Sequence, residues 1–109
     1  MDCIAERVLE LAVGDAATPV HVRLERPHLH DSGSNWVCSY QIESEDFHRR
    51  RAVHGEDSMQ ALQLALSALA LELDMLKENM GGTLLQFGEP FHSILENGRL
   101  QVVSPWSDG

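Results

Sequence analysis

The spacing of apolar residues changes near the middle of the chain, and this change constrains the fold more than any other feature. Before Gly55, apolar and polar residues alternate, as they do in strands that bury one face. From Met59 onward, apolar residues recur every three or four positions, as on one side of an α-helix. The sequence therefore predicts an α+β domain: an antiparallel sheet of about five strands with one long helix packed across one face.

Four segments that precede the helix are candidates for strands. Residues 18–26 and 35–44 alternate most regularly, and Pro27 ends the first because it has no N–H to donate to a ladder. Residues 47–54 contain three arginines, which favours an edge position in the sheet. Residues 4–13 fit both a strand and a helix, so both interpretations stay open at this point.

The helix is predicted to run to about Asn79. Asp57 or Ser58 can cap its first turn, and with Asp57 as the cap, Gln60 occupies the position of a capping-box partner. The Gly81–Gly82 pair supplies a left-handed stop at the other end.

The chain after the helix is predicted to return to strands. Residues 83–87 are expected to form a short strand, and Asn97-Gly98 between two apolar runs is typical of a β-hairpin. The role of residues 89–109 as a whole stays open, and the tail from about residue 104 is expected to fray. A chain of 109 residues that is 43% hydrophobic suits a single domain, 1–109, with its own core.

The helix carries two apolar stripes. The first is predicted to lie on the sheet and consists of Met59, Leu62, Leu66, Leu69, Leu73, Leu76 and Met80. The second contains Leu64, Leu71 and Met75 and needs its own cover, because left bare it would be a large patch for a monomer. We expect a second copy to provide that cover in a homodimer; the alternative is the C-terminal segment. Glu72 projects between the stripes, and its carboxylate is expected to reach water or an arginine, with a role toward a partner or ligand as the alternative.

The charge of the chain points to a class of partner. With 8 basic and 17 acidic residues, the net charge is −9, which argues against direct binding of nucleic acid. We expect the Arg49-Arg50-Arg51 cluster to be a surface patch neutralised by the carboxylates that flank it in sequence. An acidic surface that includes Glu43, Glu45 and Asp46 favours a protein partner with a basic surface, because opposite charges speed encounter.

No group of residues indicates catalysis, a metal or a cofactor. The run His28-Leu29-His30-Asp31, in a predicted polar loop over residues 28–35, offers three ligands but no further ligand at suitable spacing. Cys38 lies on an apolar strand face, which predicts a buried structural thiol. Cys3 and Cys38 are expected to be free thiols in a cytoplasmic protein, since we find neither a secretion signal nor an apolar run long enough to span a membrane.

Two stretches resemble a pattern found in an uncharacterised family of small bacterial proteins. These are Gly55-x-Asp57-Ser58-x-Gln60-Ala61-Leu62-Gln63-Leu64-Ala65-Leu66 and, before it, Trp36-x-Cys38-x-Tyr40-x-Ile42. The resemblance covers about residues 20–87 and implies no catalytic residues, because the family has no assigned activity. The size and α+β build are also similar to those of immunity proteins that neutralise bacterial toxins, a likeness of fold alone.

These observations favour a non-enzymatic bacterial protein-binding module, of the kind to which an immunity protein belongs. One alternative is a small-ligand-binding or enzymatic protein with a cleft between helix and sheet. Another is an acidic inhibitor that mimics DNA. A polar pocket with a perturbed titratable group would favour an enzyme, whereas an exposed apolar or acidic patch would favour a binding module.

Overall fold

The computed structural model describes residues 2–91, which form one sheet and one helix. The strands are β1 (Cys3–Val13), β2 (Ala16–Glu25), β3 (His28–Leu29), β4 (Trp36–Glu43), β5 (His48–Gly55), β6 (Thr83–Gln86) and β7 (Glu89–Pro90). The helix α1 spans Ser58–Met80 and lies across β4 and β5. All strand pairs are antiparallel, so the predicted α+β class is confirmed.

β4 organises the sheet because it pairs along both of its edges. One edge pairs with β5 over its whole length; the other pairs first with β3 and then with β2. Beyond β2 the order continues with β1, β6 and β7. The second edge of β5 pairs with no strand among residues 2–91, as expected for a strand that carries three arginines.

Two parts of the strand prediction need correction or completion. Residues 4–13 are a strand, because β1 pairs with β2 from Cys3 to Val13 around one irregularity. The predicted polar loop 28–35 is wrong in its first two residues, which form β3 and pair with Trp36 and Val37 of β4.

The segment after the helix also differs from the prediction. β6 and β7 form a tight hairpin in which Phe87 and Gly88 both have positive φ, 54° and 79°. Two consecutive positive φ angles are the geometry that suits a two-residue hairpin, and a phenylalanine there gives no signal in the sequence. The predicted hairpin around Asn97-Gly98 lies outside the described residues.

Both ends of α1 are capped by the residues that the sequence indicates. The side chain of Asp57 accepts a hydrogen bond from the backbone N–H of Gln60 (2.7 Å), and the Gln60 side chain accepts one from the N–H of Glu56 (2.6 Å). At the C-terminus, Gly81 is left-handed (φ 65°), and the N–H groups of Gly81 and Gly82 bond to the last carbonyls of the helix.

The buried face of α1 is shifted from the predicted stripe. Its fully buried residues are Ala61, Ala65, Leu69 and Leu73. Met59 and Met80, which were predicted to lie on the sheet, are exposed instead. Leu69 and Leu73 of the predicted stripe are buried as expected, and Leu62, Leu66 and Leu76 are half-buried against the core. At the start of the helix, the physical reason for the shift is close packing, because a Cβ on Gly55 would lie only 2.5 Å from the backbone nitrogen of Ala61, so the small side chains of Ala61 and Ala65 occupy the buried face there.

The core lies between α1 and the sheet face turned toward it. On that face, β1, β2, β4 and β6 contribute Leu9, Leu11, Val20, Val22, Leu24, Cys38, Tyr40, Ile42 and Leu84. Cys38 is fully buried, and burial raises the pKa of its thiol, whereas Cys3 is exposed. The predicted structural role of Cys38 agrees with this position.

α1 is long and apolar enough, by length and composition alone, to cross a membrane. In this structure it lies on a sheet and contributes Ala61, Ala65, Leu69 and Leu73 to the core. That arrangement is consistent with a soluble protein, in which core helices have the same composition.

The N-terminal cap of α1 gives a direct stability test. Asp57→Ala leaves the N–H of Gln60 without its acceptor, and we expect it to lower the free energy of unfolding by about 1 kcal/mol. Asp74→Ala, on the exposed side of the same helix, is the control and should change it by less than about 0.5 kcal/mol. Urea unfolding followed by circular dichroism measures both, and equal losses would show that Asp57 does not act as a cap.

Candidate functional site

The alternation of β5 sends its three arginines to opposite faces of the sheet. Arg49 and Arg51 face α1, whereas Arg50 faces away from it. Their partners are Glu72 and Glu25, and neither was among the flanking carboxylates that the sequence suggested. That expectation was wrong because β5 pairs its arginines with residues brought by β2 and α1, which are distant in sequence.

On the helix side, Glu72 is held by three donors. Arg49 Nη1 lies 3.3 Å from Glu72 Oε1, Arg51 Nε lies 3.3 Å from Oε2, and the hydroxyl of Tyr40 donates to Oε2. The Glu72 side chain is only 15% exposed. Burial and the neighbouring carboxylate raise the pKa of Tyr40, so its hydroxyl keeps its proton and remains a donor at neutral pH. The expectation that the Glu72 carboxylate reaches an arginine agrees with this geometry.

Two members of this cluster, Arg49 and Glu72, line a groove between α1 and the turn that joins β4 to β5. The groove has a volume of about 260 Å³ and is lined by Ile42, Phe47, Arg49, Glu72, Met75, Leu76 and Asn79. Its walls are mainly apolar, with the Arg49 guanidinium and the Asn79 amide as donors. The structure thus contains a cleft between helix and sheet of the kind that the ligand-binding alternative requires.

The second apolar stripe of α1 lies next to this groove. Leu64, Leu71 and Met75 are 44%, 61% and 51% exposed, so no part of residues 2–91 covers them. Met75 belongs to both the stripe and the groove. We call Leu64, Leu71 and Met75 the exposed stripe from here on.

The borders of the exposed stripe carry opposite charges. On the side of β5 lie Arg49 and Arg51, whose side chains are about half exposed. On the other side, Asp74 and Glu78 are four residues apart, so they lie on the same face of the helix, and both are exposed. The apolar stripe therefore separates a basic row from an acidic row.

A second cluster occupies the opposite face of the sheet. Glu25 is buried and forms a bidentate pair with Arg50, at 2.8 and 2.9 Å. Gln41 donates to Glu25 (3.2 Å), and His48 Nε2 lies 2.9 Å from the side-chain oxygen of Gln41. The hydrogen bonds from Arg50 hold the pKa of Glu25 below its ordinary value, against the opposing effect of burial. Sequence reasoning missed Glu25, because β4 lies between β2 and β5 and the contact of Glu25 with Arg50 exists only in the assembled sheet.

The predicted acidic surface is only partly free. Glu43 is bound by Arg23 (3.0 Å), which lowers the pKa of that carboxyl. Glu45 and Asp46 are exposed in the turn before β5, and no ion pair forms with either within the described part of the chain. The three carboxylates therefore do not form one continuous negative patch.

In the histidine run, His30 contacts a serine of its own loop and a histidine of β5. His30 Nδ1 lies 3.0 Å from the hydroxyl of Ser32, and its ring centroid lies 5.7 Å from that of His54. Among residues 2–91, no three His, Cys, Asp or Glu side chains are placed to hold one metal ion.

The buried pair predicts a pH-dependent stability. The folded-state pKa of Glu25 lies below its unfolded value near 4.5, so the Glu25–Arg50 pair stabilises the fold above that pH and stops doing so as pH falls through the folded-state pKa. Arg50→Gln should lower the free energy of unfolding at pH 7 by about 2–3 kcal/mol, because Glu25 stays buried without its cation. The difference from the unmodified chain should shrink as pH falls through the folded-state pKa of Glu25.

Arg26→Gln is the matched control, because Arg26 pairs with the exposed Asp2 (2.9 Å) and should cost less than about 1 kcal/mol. Urea titrations at several pH values measure both variants. If Arg50→Gln costs no more than Arg26→Gln at pH 7, the buried pair does not stabilise the fold.

Comparisons with known proteins give the family of the chain. Neither the curated proteins nor the solved structures contain a significant match. A family model described as a domain of unknown function, DUF6968, matches residues 5–94. This agrees with the expectation of an uncharacterised family, and the match extends beyond residues 20–87 on both sides. The chain therefore belongs to the DUF6968 family.

Proposed function

We propose that this chain is a non-enzymatic protein-binding module whose partner docks on the exposed stripe of α1. The single observation that supports this most strongly is the exposure of Leu64, Leu71 and Met75 side by side on a helix whose opposite face is buried. Contiguous apolar surface of this kind marks interaction sites in soluble proteins, whereas single exposed apolar residues need no explanation. An amphipathic helix face with anchors at such spacing is also a known mode of protein recognition.

The charge around the stripe favours a partner that is apolar and basic. Asp74 and Glu78 border the stripe on its exposed side, and the whole chain carries a net charge of −9. A basic partner is therefore attracted at long range and then held by apolar contact. A toxin neutralised in the bacterial cytoplasm is one partner of this chemistry, and the likeness to immunity proteins stays a prediction, since no solved structure matches the chain.

The geometry gives less support to the DNA-mimic alternative. Five carboxylates of residues 2–91 form ion pairs with arginines on this structure, among them Glu43 and Glu72. A protein that imitates the phosphates of DNA needs unpaired negative charges in a regular row. The groove gives the ligand-binding alternative a specific observation of its own, and it is taken up in the next subsection.

A homodimer is a second candidate, and the borders of the stripe favour it. A two-fold axis parallel to α1 would set the arginine row of one copy against the Asp74 and Glu78 row of the other, with the two stripes in contact. An axis perpendicular to α1 would set like charges together. Charge complementarity thus favours parallel helices in the dimer.

The protein-binding proposal predicts that a charged substitution in the exposed stripe prevents the chain from capturing its partner protein. Immobilised protein should recover a specific protein from an extract of the source cells, with recovery falling as salt rises. Leu71→Glu should abolish that recovery, because it introduces a charge into an apolar contact. Val8→Glu is the control: Val8 is 50% exposed and lies on the sheet face turned away from α1, so this variant should bind normally.

Mass spectrometry of the captured material measures the outcome. Equal recovery by unmodified protein and Leu71→Glu would exclude the stripe as the docking surface. Recovery of no protein at low salt would reject the binding-module proposal as a whole.

The homodimer has its own test. Light scattering coupled to size exclusion should give twice the chain mass of 12.2 kDa for the unmodified protein and the single mass for Leu64→Glu/Leu71→Glu. The unmodified dimer should also dissociate more readily at high salt, since its charged rows attract each other. A monomer at high micromolar concentration would rule the dimer out and leave the stripe to a different partner.

A further inference from the structure

The groove beside α1 combines apolar walls with a cation that has unused hydrogen-bond donors. Ile42, Phe47 and Leu76 form much of its surface, and Met75 closes one side. Arg49 is about half exposed and uses one nitrogen, Nη1, to contact Glu72. A guanidinium has five N–H donors, so most of those of Arg49 are available to a molecule in the groove.

The ion-pair cluster beside the groove is positive although the chain is acidic. The carboxylate of Glu72 contacts the guanidinium groups of Arg49, which lines the groove, and Arg51, which does not line it, so the three side chains together carry a net charge of +1. Glu72 is already bound by Arg49, Arg51 and the Tyr40 hydroxyl, so its oxygens have little capacity for a further donor. The charges that make up the net charge of −9 act on the groove mostly from a distance. Physiological salt screens charges that lie more than about 8 Å away.

We propose that this groove binds a small organic anion with an apolar body, such as a medium-chain carboxylate. The carboxylate would accept hydrogen bonds from Arg49, as charge-assisted pairs do, and the hydrocarbon chain would lie on Ile42, Phe47 and Leu76. A volume of about 260 Å³ is slightly below that of sites for drug-sized ligands, so the groove suits a small ligand. This site shares Met75 with the exposed stripe, but the proposal that it binds an anion does not rest on the protein-binding function.

The probe is octanoate, compared with octanamide, which has the same chain and a neutral head. Isothermal titration calorimetry on the unmodified 109-residue chain should show one octanoate per chain, bound about tenfold more tightly than octanamide. This comparison needs no variant, so it does not depend on the folding of a mutant. Absence of octanoate binding, or equal affinity for octanamide, would overturn the proposal.

Variants then locate the site. Arg49→Gln should weaken octanoate binding about tenfold and bring it to the level of octanamide. Met75→Gln should also weaken it, because Met75 lines the groove, whereas Leu71→Gln, on the stripe but outside the groove, should not. Circular dichroism confirms that each variant is folded. Octanoate binding that is insensitive to both Arg49→Gln and Met75→Gln would place the ligand elsewhere and overturn the assignment.

The protein-binding proposal and the anion-binding proposal can each be rejected without rejecting the other. Leu71→Glu is expected to lose the captured protein and to keep octanoate binding, because Leu71 does not line the groove. A chain that captures its partner through the stripe but does not bind octanoate contradicts only the ligand proposal. A chain that binds octanoate but captures no protein contradicts only the binding-module proposal.

Discussion

The contact of Glu72 with Arg49, Arg51 and Tyr40 is the interaction on which the rest of the molecule depends. It joins the middle of α1 to the edge strand β5 and to the fully buried Tyr40 of β4. Among residues 2–91, β5 pairs with a strand on one side only, and the carboxylate that contacts Arg49 and Arg51 comes from the helix layer. Together with the close packing of Ala61 on Gly55, this contact fixes the rotation of α1 about its own axis over β4 and β5.

This rotation decides what the helix leaves to solvent. With Ala61 and Leu73 against the sheet and Glu72 against β5, the next residues around the helix are those of the exposed stripe. Arg49, one of the two guanidinium groups in this contact, also lines the groove. Both proposed surfaces, the stripe for a protein and the groove for a small anion, thus lie next to the contact that Glu72 makes. A stripe and a groove that share Met75 also allow occupancy of one to influence the other.

Local patterns predicted the parts of the fold that depend on neighbours in sequence. Alternation located β2 and β4 but left β1 open between a strand and a helix, and the Asp57 cap with the Gly81–Gly82 stop bounded α1, because each acts within a few residues. The partners of the arginines were not predictable, because Glu25 and Glu72 approach β5 only after the sheet and helix have assembled. The shift of the buried helix face had the same origin, since it depends on how closely Gly55 lets α1 approach.

Amide hydrogen exchange of a Glu72→Gln variant tests the central claim most directly. If Glu72 holds α1 on β5, its loss leaves two guanidinium groups without their carboxylate, and protection should fall in α1 and β5 together. Protection in the β1–β2 pair should change much less, because those strands do not contact Glu72. Asp74→Asn, an exposed position on the same helix, should leave the pattern unchanged. Unaltered protection of α1 and β5 in Glu72→Gln would contradict the account.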